Sequence, residues 1–358
     1  MDGIDAVAAR FDGAEFRGLV ATSHADYPSA LRAELLQLAR EQPAITARDW
    51  CRLDAEVADA FADAALKLIA DHALPKAEIS AIGSHGQTVF HDASREPRLT
   101  LQLGDPNRIA ARCGARVVGD FRRRDVALGG QGAPLVPAFH HALFASSTEA
   151  RAVLNLGGIA NLTLLPDTDA AQVSGFDTGP ANGLLDEWIM LQRQQPFDAD
   201  GAFARSGQVN SKLLAALMDE PYFALPPPKS SGRGDFHLDW VRKQAPGFEQ
   251  LPAEDVQATL AQLSAATIAD SLTRLGFAPA RLLVCGGGVR NGDLMARIAR
   301  RLPGVVVEPT DAWGLDAQWV EAAAFAWLAA QTLDGLPGNL VSVTGARLAA
   351  PLGGVFPA

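Results

Sequence analysis

The fold of this chain is most clearly indicated by residues 153–188, which read VLNLGGIANLTLLPDTDAAQVSGFDTGPANGLLDEW. The apolar runs 153–156 and 160–165 each have the composition of a buried strand, and Gly157-Gly158 lies between them. Two strands joined by a glycine-rich turn predict a β-hairpin. Because glycine lets backbone N–H groups converge on one point, the turn suits an anion such as phosphate.

Asp177 follows in the segment 175–182, GFDTGPAN, just before a helix predicted over residues 183–192. A carboxylate at this place can accept a proton from a nucleophile close to a bound phosphate. The alternative is a surface hairpin followed by a turn in which Asp177 caps the helix. Each half of the stretch alone favours that alternative, whereas the two together favour a catalytic site.

The composition is that of a globular protein of two domains, with 358 residues, of which 48% are hydrophobic and 20% charged. A formal net charge of −10 argues against nucleic acid or an anionic membrane as the main partner. No apolar run is long enough to span a bilayer and the start has no signal core, so a cytoplasmic location is predicted. The three cysteines, Cys51, Cys113 and Cys285, form neither a metal pattern nor an even disulfide set.

In the first half, residues 4–23 predict an antiparallel hairpin or meander, and residues 27–42 and 46–74 predict helices. A strand near residue 80 then ends in a cluster of polar and glycine residues, which are Ser84, His85, Gly86, Gln87 and Thr88. Ligands in open α/β sheets bind at the carboxyl ends of the strands, so this cluster is a candidate binding site. The alternative is that His85 is a histidine in a turn, with its hydrogen bonds satisfied and with no role in binding.

Three consecutive arginines follow in residues 119–125, GDFRRRD. Such a run is usually a solvated basic loop, but the flanking Asp120 and Asp125 favour an internal ion-pair network. The glycine-rich segment 129–134 predicts a flexible hinge, and a domain boundary is expected near residue 145.

In the second half, a buried strand over 282–285 is followed by Gly286, Gly287 and Gly288 and then by Asn291. Strand, triple glycine and helix form a nucleotide-loop pattern. The sequence matches neither the Walker motif nor GxGxxG, and a plain tight turn is the alternative.

Further elements complete the second half. Residues 252–275 predict an amphipathic helix, and the tail 337–358, rich in glycine and proline, predicts a surface segment. Glu321 lies in the first turn of a helix predicted over 319–333, where it could simply complement the helix dipole.

Several motifs together resemble the anhydro-N-acetylmuramic acid kinase family, and they cover nearly the whole chain in the family's order. They are SHGQT at 84–88, DFRRRDVALGGQGAPLVPAFH at 120–140, LNLGGIANLT at 154–163, GFDTGPAN at 175–182, PKSSGR at 228–233, CGGG at 285–288, and Glu321 with AFAW at 324–327. The resemblance implies an α/β protein with two ribonuclease H-like (actin-like ATPase) domains, each a mixed sheet flanked by helices, with a cleft between them. It further implies that ATP, water and 1,6-anhydro-N-acetylmuramic acid yield ADP and N-acetylmuramic acid 6-phosphate, with ATP and Mg²⁺ as cofactors, in the recycling of bacterial cell-wall sugar.

The resemblance also implies roles for individual residues. Asp177 corresponds to the catalytic aspartate and Glu321 to a second acidic residue at the sugar. The residues expected to contact the sugar are Ser84, His85, Gly86, Gln87, Asp120 and Arg122. The residues expected to bind ATP are Asp2, Gly3, Asp5, Gly157, Gly158, Asn161, Gly286, Gly287, Gly288 and Asn291.

On this interpretation residues 1–145 form an N-terminal, sugar-side domain completed by the tail 337–358, and residues 146–336 form a C-terminal nucleotide-binding domain. The expected partners are a small-molecule sugar and ATP, with no nucleic acid and no membrane, and the family suggests a homodimer.

The family's first phosphate loop reads Gly-Thr-Ser, one further residue, then Asp-Gly-Ile-Asp, whereas this sequence starts at Met1-Asp2-Gly3-Ile4-Asp5. An incomplete first phosphate hairpin is therefore predicted. The alternative function is a non-catalytic nucleotide- or sugar-binding homologue of the same fold, inactive because that loop is missing.

Overall fold

A computed structural model of the chain describes residues 3–231 and 234–358 and divides into two compact units. Unit 1 comprises Met1–Leu143 and Trp319–Ala358, and unit 2 comprises Phe144–Gln318. The second boundary differs from the expected one, which placed residues 319–336 in the C-terminal domain. The helix in this segment instead packs closely on unit 1, since a Cβ atom on Gly83 would lie 2.4 Å from the carbonyl oxygen of Phe325.

Unit 1 alternates strands and helices along the chain. Its strands are β1 (Ile4–Asp12), β2 (Glu15–Ala25), β3 (Ile82–Ser84), β4 (Gln87–Asp92), β5 (Leu99–Leu103), β6 (Val117–Gly119) and β12 (Gly354–Phe356). Its helices are α1 (Ser29–Glu41), α2 (Ala47–Asp71), α3 (Pro106–Cys113), α4 (Phe121–Ala127), α5 (Val136–Phe144), α12 (Val320–Leu333) and α13 (Val341–Thr344).

The pairing in unit 1 places the C-terminal tail inside the fold. β1 and β2 form an antiparallel hairpin, as predicted, and β4 pairs antiparallel with β5. β3 and β6 run parallel, and β12 joins the other edge of β6 antiparallel. The expectation of a surface tail over 337–358 is therefore wrong, because this segment supplies a strand and the fully buried Leu352.

Unit 2 is built on one mixed sheet with the strand order β11-β10-β7-β8-β9. Its strands are β7 (Arg151–Leu156), β8 (Ile159–Leu165), β9 (Ser174–Pro180), β10 (Arg281–Cys285) and β11 (Val306–Pro309). Its helices are α6 (Asn182–Arg193), α7 (Ala202–Ser206), α8 (Ser211–Met218), α9 (Leu238–Gln244), α10 (Ala253–Arg274) and α11 (Gly292–Arg301). The sheets and helices of the two units confirm the predicted α/β class.

The long helix α10 was predicted to be amphipathic, and this is wrong. Its polar residues Thr259, Ser264, Thr267 and Ser271 are buried together with its apolar ones, and the helix packs against α6, α7, α8 and α11. The hydroxyl of Ser271 donates to the carbonyl of Thr267 at 2.7 Å, and Ser264 bonds to its own helix in the same way. Since these hydroxyl groups are satisfied within the helix, it can be enclosed on all sides. No helix in the described part of the chain is long and apolar enough to cross a membrane.

Candidate active site

The candidate catalytic residue Asp177 lies in the middle of β9, beside the predicted glycine hairpin. β7 and β8 pair antiparallel around Gly157 and Gly158, which confirms that hairpin. β8 pairs in turn with β9, with an irregularity between Ala160 and Asn161 that sets Asn161 opposite Asp177. The amide Nδ2 of Asn161 donates to Oδ1 of Asp177 at 2.7 Å.

A distant segment holds the other side of Asp177. The backbone N–H of Ser231 donates to Oδ2 of Asp177 at 2.8 Å, and the N–H of Asp177 donates to the carbonyl of Lys229 at 3.1 Å. The hydroxyl of Tyr222 donates to the carbonyl oxygen of Asp177 at 3.0 Å. The residue is thus fixed through its backbone and through both carboxylate oxygens.

The alternative role of Asp177 as a helix cap does not agree with this geometry. Helix α6 begins at Asn182, its N-cap residue is Ala181, and no side chain among the described residues caps it. The backbone N–H groups of Asn182 and Gly183 instead donate to the carbonyls of Gly157 and Gly158, each at 3.1 Å. The carbonyl groups of the glycine turn thus accept hydrogen bonds from the first N–H groups of the helix. The carboxylate of Asp177 is bonded to Asn161 and Ser231 instead.

The surroundings of Asp177 favour a base of more than ordinary strength. Burial raises the pKa of its carboxyl group, while the hydrogen bonds from Asn161 and Ser231 and the charge of Lys229 lower it, and the net direction is upward. Among the described residues, Oδ1 and Oδ2 each accept one hydrogen bond, and a carboxylate oxygen has lone pairs for two. These residues leave one acceptor position on each oxygen for a water molecule.

The triple-glycine loop after β10 packs against the end of β7. Gly286 has a φ of +84°, and a Cβ atom there would lie 2.4 Å from Oδ1 of Asn155, while one on Gly288 would lie 2.5 Å from Cβ of Leu156. By contrast, a Cβ atom on Gly287 would have no atom within 4 Å from the described residues beyond its neighbours in the chain. Both glycine loops thus meet at one edge of the sheet, and Gly287 leaves open space beside its backbone.

Asn291 has a structural partner of its own. Its Oδ1 accepts from the N–H of Leu294 at 3.0 Å and so caps helix α11. The side chain is nearly buried, with 8% of its surface exposed. The structure therefore gives Asn291 a capping role at the start of the helix that follows the glycine loop.

In unit 1, His85 and Arg122 form a direct pair. The guanidinium Nε of Arg122 donates to Nε2 of His85 at 2.8 Å, and its Nη1 donates to the carbonyl of Gly132 at 2.9 Å. The imidazole ring lies 4.3 Å from that of Phe325, centroid to centroid. Burial and the charge of Arg122 hold the pKa of His85 well below its usual range, so the ring is neutral and Nε2 is the acceptor.

Glu321 lies in the first turn of α12, within the electrostatic range of Arg122. The protein groups packed around the Glu321 carboxyl displace part of its water and raise its pKa, and the charge of Arg122 opposes that rise. The residue as a whole is exposed, so this displacement is incomplete. Arg122 is itself desolvated, which lowers its pKa. The position at the start of α12 is also compatible with a helix-dipole interaction.

The arginine run is helical and is not the solvated loop that was the alternative to the predicted ion-pair network. It lies in α4, where Arg122 points inward and Arg123 pairs with Asp120 at 2.6 Å. Asp125 is buried and accepts from the N–H of Gly132, from Asn339 and from Thr344, each at 2.8 Å. These contacts tie the glycine-rich segment 129–134 and the C-terminal tail to the same helix.

Unit 1 also contains a pocket of about 320 Å³ at the carboxyl ends of β3 and β6. Four of the predicted sugar residues line it, namely Ser84, His85, Gly86 and Asp120. Gly86 has a φ of +73°, and a Cβ atom there would lie 2.9 Å from the carbonyl oxygen of Leu103. The hydroxyl of Ser84 is buried and has no hydrogen-bond partner in the described part of the chain.

The sequence does not indicate part of this pocket, and two of the six residues predicted at the sugar, Gln87 and Arg122, do not line it. Trp50, Asp54 and Gln102 also line the pocket, and the N–H of Gly104 donates to Oδ1 of Asp54 at 2.7 Å. Burial raises the pKa of the Asp54 carboxyl. Gln87 does not line it, because its Oε1 accepts from the hydroxyl of Tyr27 at 2.9 Å. No local signal marks Trp50 and Asp54, which sit within a long helix.

The residues predicted at the first phosphate hairpin are placed only in part. Asp2 lies outside the described residues. Gly3 directly precedes β1, and Oδ1 of Asp5 lies 2.7 Å from Nδ1 of His24 on the neighbouring strand β2. The described residues contain no group of three or more His, Cys, Asp or Glu residues that could hold a metal ion.

Comparison with known proteins gives consistent matches over the whole chain. A family model described as "Anhydro-N-acetylmuramic acid kinase" matches residues 1–358. A protein named anhydro-N-acetylmuramic acid kinase from Xanthomonas campestris pv. campestris (strain 8004) is 55% identical over 359 residues, covering 100% of this chain and 94% of that protein. One of the same name from Xylella fastidiosa (strain Temecula1 / ATCC 700964) is 52% identical over 360 residues, with coverage of 100% and 94%.

A solved structure shows a more distant likeness. The activator of the 2-hydroxyisocaproyl-CoA dehydratase from Clostridium difficile, with bound ADPNP, is 12% identical with a TM-score of 0.45. The likeness covers 92% of this chain and 94% of that chain.

Proposed function

The chain belongs to the anhydro-N-acetylmuramic acid kinase family and is a kinase, and from this premise we propose its reaction. ATP, water and 1,6-anhydro-N-acetylmuramic acid give ADP and N-acetylmuramic acid 6-phosphate. The reaction would take place in the cytoplasm, on sugar released from the cell wall. The observation that carries the proposal is the partly buried Asp177 carboxylate, oriented through both oxygens beside a glycine hairpin.

The substrate explains why a base for water is needed. A 1,6-anhydro bridge leaves no free hydroxyl at O6, so the ring must open as the phosphoryl group moves. Water attacks the anomeric carbon, the bond from that carbon to O6 breaks, and O6 takes the γ-phosphoryl group from ATP. The proton of the attacking water goes to Asp177, whose raised pKa suits a general base better than an ordinary aspartate.

The sugar side of the reaction falls to unit 1. The pocket lined by Ser84, Asp120, Trp50 and Asp54 offers hydroxyl and carboxylate groups together with an aromatic wall, a combination that suits a polyhydroxylated ring. Arg122 is held in place by its hydrogen bond to neutral His85. Its positive charge would stabilise the ionised carboxylate of Glu321. In this arrangement Glu321 stabilises charge at the sugar.

The nucleotide side falls to unit 2. The glycine loops at Gly157, Gly158 and Gly286–Gly288 would receive the phosphates and the adenosine, and the open space beside Gly287 fits a close approach of a ligand to the backbone. Mg²⁺ would neutralise phosphate charge. The described ranges contain no group of three or more acidic, His or Cys residues that could hold a metal ion.

The direct test is ADP release from ATP with and without the anhydro sugar, with the 6-phosphate identified by mass spectrometry. The chain is assayed as given and with an N-terminal extension carrying the family's Gly-Thr-Ser segment. Sugar-dependent release of ADP supports the proposal. Binding of sugar without turnover in both forms would instead indicate a non-catalytic homologue, and faster phosphorylation of a sugar with a free 6-hydroxyl would indicate a different sugar kinase.

A further inference from the structure

Asn161 is grouped by sequence with the glycine loop, but its side chain is bonded to the catalytic carboxylate. Its Nδ2 donates to Oδ1 of Asp177 at 2.7 Å, which is shorter than the 2.8 Å bond from the N–H of Ser231 to Oδ2. We propose that Asn161 is a positioning residue for the Asp177 base and not a nucleotide ligand. This inference rests on the proposed function only in identifying Asp177 as the base.

The strand register explains how Asn161 reaches Asp177. Asn155, Asn161 and Asp177 are direct partners across β7, β8 and β9, so their side chains share one face of the sheet. All three are partly exposed, whereas the neighbouring Leu154, Leu162 and Phe176 are buried on the opposite face. Asn161 therefore stands between the glycine loop and the base.

The side chain nearest to the triple-glycine loop in this row is Asn155. A Cβ atom on Gly286 would lie 2.4 Å from Oδ1 of Asn155, which shows how closely that loop approaches this amide. Asn161 is one strand further from the loop, and its donor group is already engaged by the carboxylate. The geometry thus separates an amide beside the nucleotide loop from an amide that serves the base.

An asparagine suits this positioning role for a chemical reason. Its amide is uncharged at all accessible pH values, and Nδ2 is a donor only, so it orients the carboxylate without titrating. The Ser231 N–H fixes the second oxygen, and together the two donors set the plane of the carboxylate. Removal of the Asn161 donor would leave one oxygen without a protein partner and would make the charged form less stable.

The test uses Asn161→Leu, which keeps the size and removes the donor, and Asn161→Ala, which also removes the donor, should the first variant fail to fold. In both, the acid limb of the kcat profile should move to higher pH by about one unit, since a hydrogen bond to a charged group is worth about that much. The KM for ATP should stay within about twofold, because binding of the nucleotide is not touched. The carboxyl ¹³C resonance of Asp177 should titrate at a correspondingly higher pH.

The matched control is Asn210→Ala. Asn210 caps helix α8 through the N–H of Leu213, at 2.9 Å, and the described contacts of its side chain do not include Asp177. The control loses a hydrogen bond and some stability but should leave the acid limb unmoved. The proposal would be overturned if the Asn161 variants raised the KM for ATP and left the acid limb of the kcat profile unmoved. It would also be overturned if they lowered kcat without moving that limb.

The ¹³C titration separates this inference from the proposed function. It needs no turnover, so it can be measured even if the wild-type chain shows no sugar-dependent ADP release. In that case the proposed reaction fails, while a raised titration point in the Asn161 variants still supports the positioning role. An unchanged titration point overturns the positioning role whatever the activity of the chain.

Discussion

The substitution Asp177→Asn should abolish most turnover while leaving the site almost unchanged in shape. In the wild type, Asn161 Nδ2 and Ser231 N–H each donate to one carboxylate oxygen, at 2.7 Å and 2.8 Å. The oxygen of the new amide can keep the bond from Ser231, and the Asn161 amide can rotate to accept from the new NH₂ group. Both hydrogen bonds survive as neutral pairs, so the change in unfolding free energy should be about 1 kcal/mol or less.

The loss of proton acceptance is much larger than the loss of stability. General-base catalysis contributes about 10²- to 10⁴-fold, which is about 3–5 kcal/mol of barrier, so kcat should fall by that factor. The KM for the anhydro sugar should change little. In the wild type, turnover should fall as pH drops through the raised pKa of Asp177, above 3.8, because the protonated acid cannot accept a proton. The variant should lack this limb.

ADP release with saturating ATP and sugar, followed across pH and accompanied by thermal unfolding, measures these effects. The matched control is Asp169→Asn, which removes the same charge from an exposed aspartate of unit 2 whose carboxylate caps Ala171 N–H at 3.0 Å. Asparagine caps equally well, so the control should keep normal turnover. Near-normal turnover in Asp177→Asn, with unfolding unchanged, would refute Asp177 as the base.

Four further substitutions test the two units separately. Gly288→Ala places a Cβ atom 2.5 Å from that of Leu156 and should cost about 1–3 kcal/mol in urea unfolding, whereas Gly287→Ala, which enters open space, should leave stability unchanged. Asp54→Asn weakens a carboxylate of the unit 1 pocket and should raise the KM for the sugar about tenfold with the KM for ATP unchanged; equal rises in both would contradict the pocket assignment. Asp59 is paired with Arg108 and Arg112, which lower its pKa from 3.8 to about 2, so its contribution to stability is present above pH 3.8 and is lost as pH falls through about 2. The difference in Tm between wild type and Asp59→Asn should therefore shrink over that window and also with added salt, and a difference that is the same at pH 6 and pH 2 would rule this out.

The sequence predicts well those elements whose pattern of apolar residues and glycines lies within the element itself. The hairpin around Gly157 and Gly158 follows from two apolar runs and a glycine turn, and β10 with its glycine loop follows from the same kind of signal. The helix α2 follows from apolar residues at helical spacing. Each pattern lies within one element, so burial of one face is enough to specify it.

The elements that sequence misses depend on distant partners. The groups that fix Asp177 come from Ser231 and Tyr222, which are 54 and 45 residues further along the chain. The tail 337–358 has the composition of a surface segment, but its strand β12 pairs antiparallel with β6. Helix α10 has a polar stripe in sequence, yet neighbouring helices cover that stripe as well.

Asn161 is an example of a residue whose neighbours in a sequence motif are a poor guide to its role. The motif LNLGGIANLT places Asn161 three residues after Gly158, and proximity in sequence assigns both to the nucleotide. In a hairpin, however, the side chains that meet are those in register across the strands. The irregularity between Ala160 and Asn161 shifts the pairing of β8 and β9 by one residue, and without it the Asn161 side chain would not stand opposite Asp177. Because this shift leaves no mark in the composition, the partner of Asn161 can be assigned only from the folded chain.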